Sequence, residues 1–543
     1  MLYFNSTNGY IYYNQNHPYA ADKGRILDRN RFVMTNTIDL YANYNRKIGE
    51  DFELGAMVGH SFLKTRSRTS YIDAQNYPSP AFDVASVAAN IVDASAGLSE
   101  YAIESYFARL SLAYKDRYVV NATIRTDGSS RFAPDCRWGW FPSVSVGWNV
   151  SNESFWNAEK TDLKIRASYG RTGNQDGISN YGWQALISGG VNYGGQSGIA
   201  ISSSGNDRLT WETADQYNAG FDLSFLGGKI NMIADVYLKN TNNLLYSKPV
   251  HATTGETSIL SNIGSMRNKG VEFTINTHLN LGKVLWSSSF NIARNVNKLT
   301  SLLEDDLLSI GANRALKLGR TVGSWYIFRT DGIYQYDGEV PQALYDKGVR
   351  AGDVKYWDRN GDGNITDDDR IVTGNPNPKF SGGWNNTFKY KGLELSLFFT
   401  YSYGNDVYAS WMIHGSKPGY TRSLLKAYAD NRWTGPGTSD KYPRAIYSYS
   451  GWNGKNSTMY LTDGSFIRLR SVTLGYTFPQ RLVSKIHLKG LRVYAQGDNV
   501  FLCSRYPGWD PETSVNLDPR FYGEDNDGVP QPRIFKLGVN ITF

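Results

Sequence analysis

The strongest chemical signal in the sequence is a run of oxygen-bearing side chains at residues 358–369, which reads Asp-Arg-Asn-Gly-Asp-Gly-Asn-Ile-Thr-Asp-Asp-Asp. Its spacing fits the D-x-[DN]-x-[DN]-G pattern of calcium-binding loops, in which alternate residues direct oxygen atoms at one ion. The pattern therefore predicts a Ca²⁺ site. Its expected ligands are Asp358, Asn360 and Asp362 through their side chains, Asn364 through its carbonyl, Thr366 through its hydroxyl or a bound water, and Asp369 at the twelfth position.

The twelfth position of this loop lowers the expected affinity. Calcium loops normally carry Glu there, which reaches the ion with both carboxylate oxygens. Asp369 is one methylene shorter, so we expect the weak binding of extracellular modules, roughly 10⁻⁴–10⁻³ M. The flanks do not look like EF-hand helices, and an Asx-rich turn without an ion is the alternative interpretation. Bound calcium would stiffen a surface loop, and no other cofactor is predicted.

The remaining polar residues give no support for catalysis. The sequence contains no HExxH motif, no P-loop, no GxGxxG after a strand and no GxSxG elbow. Cys136 and Cys503 are too few and too distant in sequence for a metal knuckle or a disulfide framework. The histidines are scattered singly, at His17, His60, His251, His278, His414 and His487. The chain is therefore predicted not to be an enzyme.

The composition excludes further classes of protein. The 543 residues carry a net charge of +7, and 14% of them are aromatic. The mean hydropathy is −0.45. No apolar run reaches the length of about 18 residues that a membrane-spanning helix needs, which excludes a helical membrane protein. Basic residues are mixed with acidic ones along the chain, so no nucleic-acid partner is predicted.

Hydrophobic alternation with a period of two recurs along the whole chain. It is clearest at residues 106–114, 230–239, 271–279 and 284–293, where one face is mainly apolar and the other mainly polar. A soluble β-sandwich would show the same alternation. These segments are longer than the five or six residues usual in soluble sheets, and they approach the roughly 9–11 that a tilted strand needs to cross a membrane. About 14–16 strands are expected.

The connections between strands suggest two different rims. Residues 225–229 and 280–283 are short turns, whereas residues 67–100, 299–378 and 404–460 are long and polar. Aromatic residues lie near strand ends, as at 138–141 and 401–403. Short turns on one rim, long extracellular loops on the other and aromatic girdles between them are typical of outer-membrane β-barrels. Short loop helices are expected within 81–98 and 421–433.

The last strand carries an unbroken apolar stripe. Its alternate residues are Phe535, Leu537, Val539, Ile541 and Phe543. A barrel must pair its last strand, because unsatisfied backbone groups in lipid are costly. An aromatic residue at the end of such a strand resembles the assembly signal of bacterial outer-membrane proteins. The alternative is the last strand of a soluble sheet.

Polar and aromatic residues that could contact a substrate fall into two groups. Arg468 and Arg470 share one strand, and Glu272, Asn276 and His278 share another, as a polar barrel lumen would require. The long loops carry aromatic residues that could bind sugars or could simply pack the loops. These residues are Tyr181, Trp183, Trp411, Trp433 and Trp452. The sequence does not choose substrate contacts among them.

Several sequence blocks occur in the order and spacing of one known family. The blocks are residues 118–132, 137–148, 209–218, 262–272, 352–363, 463–479, 497–501, 510–512 and 530–533. Examples are Asp-Gly-Ser-Phe-Ile-Arg-Leu-Arg within 463–479 and Asp-Pro-Glu at 510–512. Together they resemble the SusC/RagA group of TonB-dependent outer-membrane transporters. The resemblance covers nearly the whole chain from about residue 100.

The resemblance implies an all-β fold, the C-terminal portion of a 22-stranded antiparallel transmembrane β-barrel. Residues 1–543 are then a partial barrel domain without the plug, expected to begin inside the barrel at Met1, with no signal peptide or TonB box. The implied protein lies in the bacterial outer membrane, in contact with its lipid, and imports oligosaccharides or peptides. Its implied partners are a SusD-like lipoprotein and the TonB–ExbB–ExbD system, which acts through a plug outside this chain.

Two other functions stay open at this point. A passive outer-membrane porin or adhesin would have the same strands without energy coupling. A secreted glycan-binding β-protein or enzyme would bury its apolar faces against protein. The long strands and the stripe that ends at Phe543 favour a membrane barrel over the secreted alternative.

Overall fold

The computed structural model describes most of the chain. The described residues are 2–13, 24–157, 160–251, 253, 256, 258–302, 307–416, 423–446 and 451–543. The predicted start at Met1 and residues 303–306, 417–422 and 447–450 of the predicted long loops lie outside them. Among the described residues, no helix combines the length and the apolar character needed to cross a membrane.

Sixteen strands form one large sheet, and strands are numbered here in chain order. Their hydrogen-bonded order follows the chain. They are β1 (Leu2–Tyr13), β2 (Arg25–Ile48), β3 (Phe52–Gln75), β4 (Asn90–Tyr114), β5 (Tyr118–Ser129), β6 (Trp138–Asn149), β7 (Thr161–Asn174), β10 (Glu212–Phe225), β11 (Ile230–Asn242), β14 (Ser265–Leu281), β15 (Val284–Ser301), β22 (Phe380–Tyr390), β23 (Leu393–Tyr403), β26 (Phe466–Thr477), β27 (Gly490–Ser504) and β29 (Ile534–Thr542).

The shorter strands and the helices lie in the connections of the large sheet. The short strands are β8 (Leu186–Gly189), β9 (Ile199–Ser203), β12 (Leu245–Pro249), β13 (Ser258–Asn262), β16 (Leu307–Ile310), β17 (Arg314–Lys317), β18 (Trp325–Phe328), β19 (Thr330–Ile333), β20 (Val354–Tyr356), β21 (Arg370–Thr373), β24 (Asp406–Ala409), β25 (Leu461–Asp463) and β28 (Glu524–Asp525). The helices are α1 (Gln342–Asp346), α2 (Trp411–Gly415), α3 (Lys426–Asn431) and α4 (Gln480–Val483).

The all-β, antiparallel prediction is confirmed. The four segments with the clearest alternation fall within β4, β11, β14 and β15. Strands of the large sheet are 9 to 25 residues long, so each meets the length that a membrane-crossing strand needs. The short turns are also confirmed. Between β14 and β15, Gly282 adopts a φ of +62°, a left-handed conformation that favours glycine.

The prediction of a long loop over residues 67–100 is wrong in its extent. β3 and β4 remain paired there, from Ser67 with Ser99 to Gln75 with Asn90, so only residues 76–89 connect the strands. The helix expected within 81–98 is also wrong, since it reduces to a single 3₁₀ turn at Ala85–Val87. Pairing continues because the ladder satisfies the backbone whether or not one face is apolar.

The apolar face of β4–β6 is exposed and ends in aromatic rings on both sides. These strands belong to a compact unit of Met1–Trp148, Ser168–Gln216 and Thr241–Ile263. Near the turn after β4, the rings of Tyr114, Tyr118 and Trp148 follow one another with centroids 6.4 Å apart. At the other end, Tyr106 lies 6.1 Å from Trp138. The exposed residues between the two ends include Leu110, Leu112, Val120, Ile124, Val144 and Val146.

The two groups of aromatic rings border an exposed apolar face. Tyr106 and Tyr114 are eight residues apart on β4, which is about 26 Å along a strand that rises about 3.3 Å per residue. At the tilt of about 40° usual for barrel strands, this length spans about 20 Å of height, against the apolar band of about 25 Å between the aromatic girdles of outer-membrane barrels. The exposed face of β4–β6 therefore has the aromatic borders of a lipid-facing band and most of its height.

A second compact unit consists of Asn149–Ala167, Tyr217–Asn240 and Gly264–Phe543. Its long connections are folded. One four-stranded sheet has the order β16-β17-β18-β21, and a three-stranded sheet has the order β25-β24-β28. Two apolar clusters are buried beside them. The first contains Phe328, Ile333, Tyr334, Val340, Leu344, Val349, Val354, Tyr356 and Ile365. The second contains Trp325, Ile327, Val407, Tyr408, Ala409, Met412, Tyr460 and Tyr506.

Candidate functional site

The predicted calcium loop is an ordered turn between β20 and β21. Asp358 begins it, and its carboxylate accepts hydrogen bonds from the backbone N–H groups of Gly361 at 2.7 Å and Gly363 at 2.8 Å. Asp362 accepts from the backbone N–H of Asn364 at 2.7 Å. Asn360 accepts from the backbone N–H of Asp362 at 3.1 Å. These bonds are the side-chain-to-backbone contacts of Asx turns.

The loop closes through Asp369, which is buried. Its carboxylate accepts from the backbone N–H of Arg359 at 2.9 Å and of Thr366 at 2.7 Å. Thr366 caps the 3₁₀ turn Asp367–Asp369 in return. The structure thus brings all six predicted ligand residues into one loop.

Oxygen atoms are the donors that calcium prefers, so the chemistry of this loop suits the ion. The carboxylates of Asp358 and Asp369, however, already accept backbone N–H groups. Within the described ranges, no cluster of three or more His, Cys, Asp or Glu residues could hold a metal. Calcium binding therefore stays a prediction.

The arginines predicted for the inward face form a buried ionic network. Arg468 on β26 is only 3% exposed, and its Nη2 donates to Asp510 at 2.5 Å. Its Nε lies 2.7 Å from Glu512, which also pairs with Arg470. The network fastens the Asp-Pro-Glu segment 510–512 to the large sheet. The sequence shows both blocks, but nothing in it indicates that they pair.

The polar residues predicted on β14 make a different set of contacts. His278 lies 3.0 Å from the hydroxyl of Ser287 on β15 through its Nδ1. Glu272 and Asn276 share its face of the strand. Among the described residues, no hydrogen bond joins this group to Arg468 or Arg470. A single lumenal site containing both groups is therefore not seen.

A second polar centre connects two long loops. Asp353 is 2% exposed and accepts two bonds from Arg444, at 2.8 and 3.0 Å, and one from Asn453 at 3.0 Å. The bond to Asp353 raises the pKa of Arg444. Gly352 precedes this centre with a φ of +87°, and a Cβ there would lie 2.5 Å from the ring of Trp433. The close approach of the two loops thus depends on glycine.

A third polar centre is the buried Arg314 on β17. Its guanidinium lies 4.1 Å from the centroid of the Trp325 ring and donates to the carbonyls of Gly323, Phe521 and Tyr522. Burial lowers the pKa of Arg314 to about 10, so the group stays charged at neutral pH. It ties the 505–533 connection to the four-stranded sheet.

The aromatic residues proposed as sugar platforms use their polar atoms for packing. Each forms a hydrogen bond inside its own unit. The bonds join Tyr181 to the backbone N–H of Glu100, Trp183 to the carbonyl of Ser130, Trp411 to the hydroxyl of Tyr506, Trp433 to the side chain of Gln335 and Trp452 to the carbonyl of Val354. The packing interpretation therefore accounts for the polar atoms of these residues. It does not say what the faces of their aromatic rings contact.

The C-terminal stripe lies on β29, which pairs with β27. Its residues Phe535, Leu537, Val539, Ile541 and Phe543 are all exposed. The opposite face is polar, and Lys536 there pairs with Asp498 at 2.6 Å. The predicted alternation is present. The role of the stripe as an assembly signal stays a prediction.

The large antiparallel sheet, its exposed apolar band and its folded loops are typical of an outer-membrane β-barrel protein. A family model described as "TonB dependent receptor-like, beta-barrel" matches residues 2–363, about two thirds of the chain. The chain therefore belongs to the TonB-dependent receptor-like β-barrel family. Proteins of this family are outer-membrane transporters of Gram-negative bacteria and not enzymes.

Individual relatives agree with this family. The chain is 33% identical to the TonB-dependent receptor P26 of Formosa agariphila, over 92% of this chain and 52% of that protein. It is 29% identical to the TonB-dependent receptor SusC of Bacteroides thetaiotaomicron, over 93% of this chain and 50% of that protein. The resemblance to the SusC/RagA group is thus confirmed. The chain spans about half the length of the curated relatives it matches.

Solved structures show the same fold. The RagAB peptide transporter matches with a TM-score of 0.85 and 22% identity, over 100% of this chain and 59% of that chain. The RagAB peptide importer in its open-open state matches with a TM-score of 0.84, over 100% of this chain and 58% of that chain. The likeness confirms the predicted class of barrel fold. The count of 22 strands stays a prediction, since the described sheet has sixteen.

Proposed function

We propose that this chain is the barrel part of an outer-membrane nutrient importer of the SusC type. The parent protein takes up oligosaccharides or peptides. The observation that supports this most directly is the exposed apolar band on a large antiparallel sheet, which is bordered at both ends by aromatic rings, as in outer-membrane barrels. The family membership supports the class of transport.

The proposed partners follow from the relatives and from the folded loops. RagAB, which shares the fold, is a peptide importer, and a SusD-like lipoprotein is the partner proposed for this chain. The long connections of the second unit have their own buried cores, and such folded loops offer a stable surface for a lid. TonB–ExbB–ExbD supplies the energy for import by the parent protein.

Uptake by living cells tests this proposal. The gene for the parent protein is deleted, and growth is measured on a panel of oligosaccharides and on peptides as the only carbon source. We expect loss of growth on one nutrient class, restored by the intact gene only when TonB and ExbB are present. Growth that is restored equally well without TonB would instead identify a passive porin.

A pull-down tests the lipoprotein partner separately. The tagged parent protein is purified from outer membranes in mild detergent, and the proteins that remain bound are identified by mass spectrometry. We expect a lipoprotein in near-equimolar amount. Its consistent absence, with the barrel intact by heat-modifiable migration, would contradict the partner and leave the transport class standing.

A further inference from the structure

A small pocket lies beside the first buried cluster of the second unit. It has a volume of about 350 Å³ and is lined by Lys347, Gly348, Val349, Asp353, Gly451, Trp452 and Lys455. Ligand pockets in proteins begin at about 300 Å³, so it has room for one ring-sized unit of a ligand. Among the described lining residues, Trp452 is the one that the sequence names as able either to bind a sugar or to pack the loops.

Two lysines give the pocket its charge. Lys455 lies over the rings of Phe328 and Trp452, with its Nζ 5.0 and 5.5 Å from their centroids. It forms no ion pair with any described residue. Lys347 donates to the side chain of Asn364 at 2.8 Å, which is a neutral partner. Both ammonium groups therefore keep donors for an anion.

Two carboxylates near the pocket are already paired. Asp353 is held by two bonds from Arg444 and one from Asn453. Asp367, the acidic group that acts on Lys455, pairs with Arg370 at 2.9 Å. The pocket lining thus carries two ammonium groups and one carboxylate, Asp353, which is already paired. Burial, together with the positive charges of Arg370 and Lys347, lowers the pKa of Lys455, so an anion beside it would relieve an existing cost.

The shape of the pocket favours a ring over an extended chain. Gly348 and Gly451 have φ values of +94° and +81°, and a Cβ on either would meet nothing within 4 Å. Part of the wall is therefore bare backbone. Trp452 is fixed by its bond to the carbonyl of Val354 at 2.9 Å and by edge contact with Tyr356. A fixed indole beside an open glycine wall suits a sugar ring.

We propose that this pocket binds the carboxylate of a uronic-acid residue within an acidic oligosaccharide. Lys347 and Lys455 pair with the carboxylate, and the sugar ring packs beside Trp452. The inference deepens the proposed import function, on which it rests, by naming one class of substrate. Sulfated sugars and acidic peptides are the competing ligands.

Binding is measured by calorimetry on the full-length parent protein in detergent, at low ionic strength. The probes are tri-galacturonate, its neutral methyl ester, a sulfated trisaccharide and tri-glutamate. We expect tri-galacturonate to bind at least tenfold more tightly than each of the others. Equal binding of the ester, tighter binding of the sulfated sugar or of tri-glutamate, or no binding of tri-galacturonate would overturn the assignment.

Variants locate the site. Lys455→Met keeps the aliphatic stem, and we expect it to weaken tri-galacturonate binding about tenfold, a factor that corresponds to about 1.4 kcal/mol. Lys455→Arg should retain most of the affinity. Lys426→Met is the matched control, because Lys426 is exposed and pairs with Asp430 outside the pocket. An unchanged affinity in Lys455→Met would overturn the proposal.

Chemical labelling gives a readout that does not depend on a variant's folding. Lysines of the wild-type chain are acylated with and without tri-galacturonate, and the peptides are mapped by mass spectrometry. We expect protection of Lys347 and Lys455 but not of Lys426. Unprotected pocket lysines would refute the pocket and leave TonB-dependent uptake intact. Loss of TonB dependence in cells would refute the importer without changing this binding result.

Discussion

Two regions of this chain use the same kinds of apolar side chain in opposite ways. On β29, Leu537 is 89% exposed, and the rest of its stripe is exposed as well. In the long connections, Trp325 is 0% exposed and packs in a cluster with Val407 and Tyr408. A contiguous apolar face left open across many strands needs a partner other than water. The comparison shows that alternation alone does not reveal what an apolar face contacts.

The polar contacts of the sheet also differ from those of the loops. On the inner side of the sheet, small side chains bond across strands, as Ser111 does to Asn121 at 2.6 Å. In the loops, a buried carboxylate pairs with a charged partner, as Asp353 does with Arg444. The loops therefore have buried cores of their own, whereas the apolar residues of the β29 stripe are left open.

The largest expected effect comes from removing the centre of the loop core. Trp325→Ala should lower the local stability of the loops by about 3–5 kcal/mol, because it leaves a cavity and removes the ring beside Arg314. Hydrogen exchange of the loop peptides measures this loss. Trp509→Ala is the control, since Trp509 is 80% exposed and should change stability by less than about 0.5 kcal/mol. An equal loss of stability in the two variants would contradict a loop core centred on Trp325.

The next effect tests the buried ionic network. Arg468→Met should cost about 3 kcal/mol, because it leaves the buried Asp510 without its main cation. Arg520→Met removes a more exposed pair with Asp518 and should cost less than about 1 kcal/mol. Protease cleavage of the 505–533 connection reports the difference. If Arg468→Met does not speed cleavage of this connection, the ionic network does not anchor it.

The outer face is tested by a charge placed on either side of β29. Leu537→Arg should destabilise the barrel by about 2–4 kcal/mol if the stripe crosses the lipid midplane. Asn540→Arg, on the polar face, should have a much smaller effect. Deletion of Phe543 should block assembly of the parent protein. The measurement is the amount of heat-modifiable band in outer membranes, and normal amounts for Leu537→Arg would contradict lipid contact.

A smaller effect depends on pH in the loops. Burial, and then the neighbouring Asp463, raises the pKa of Asp406, although the Asn375 N–H and Lys379 act in the opposite direction. Because its pKa is higher in the folded state, protonated Asp406 contributes its full stability below the unfolded pKa of 3.8. This contribution is lost as the pH rises through the folded pKa. Asp406→Asn should therefore stabilise the loops at pH 7 and have little effect below pH 3.8. A pH-independent effect would contradict this sign.

The smallest expected effect concerns calcium. Addition of about 2 mM Ca²⁺, near the upper end for weak extracellular sites, should slow protease cleavage within residues 352–372. Asp358→Asn should abolish the protection, and Asp346→Asn, outside the predicted ligand set, should retain it. If calcium does not change the cleavage rate, residues 358–369 form an Asx turn that binds no ion.

The sequence predicted those features that depend on local pattern. The strands over 230–239 and 284–293 and the turn at 280–283 follow directly from alternation and turn chemistry. The sequence does not reveal the extension of β3 beyond Ser67, because residues 67–70 are polar on both faces and a backbone ladder leaves no hydrophobic signal.

The contacts between loops could not be predicted in the same way. Asp353 and Arg444 are 91 residues apart in sequence, and neither residue carries a pattern that identifies its partner. The same holds for the two lysines of the pocket. Such pairs are set by tertiary packing alone. The calcium loop was recognised because all of its residues are contiguous, although contiguity does not show that an ion binds.

The central claim is that the apolar stripes contact hydrocarbon, and the accessibility of β29 tests it most directly. In a Cys136→Ser, Cys503→Ser background of the membrane-inserted parent protein, each of residues 535–541 is replaced in turn by a nitroxide-labelled cysteine. We predict that positions 535, 537, 539 and 541 collide with dissolved oxygen, whereas 536 and 540 collide with a water-soluble nickel complex. Odd-numbered positions shielded from both reagents would place the stripe inside protein and contradict the account.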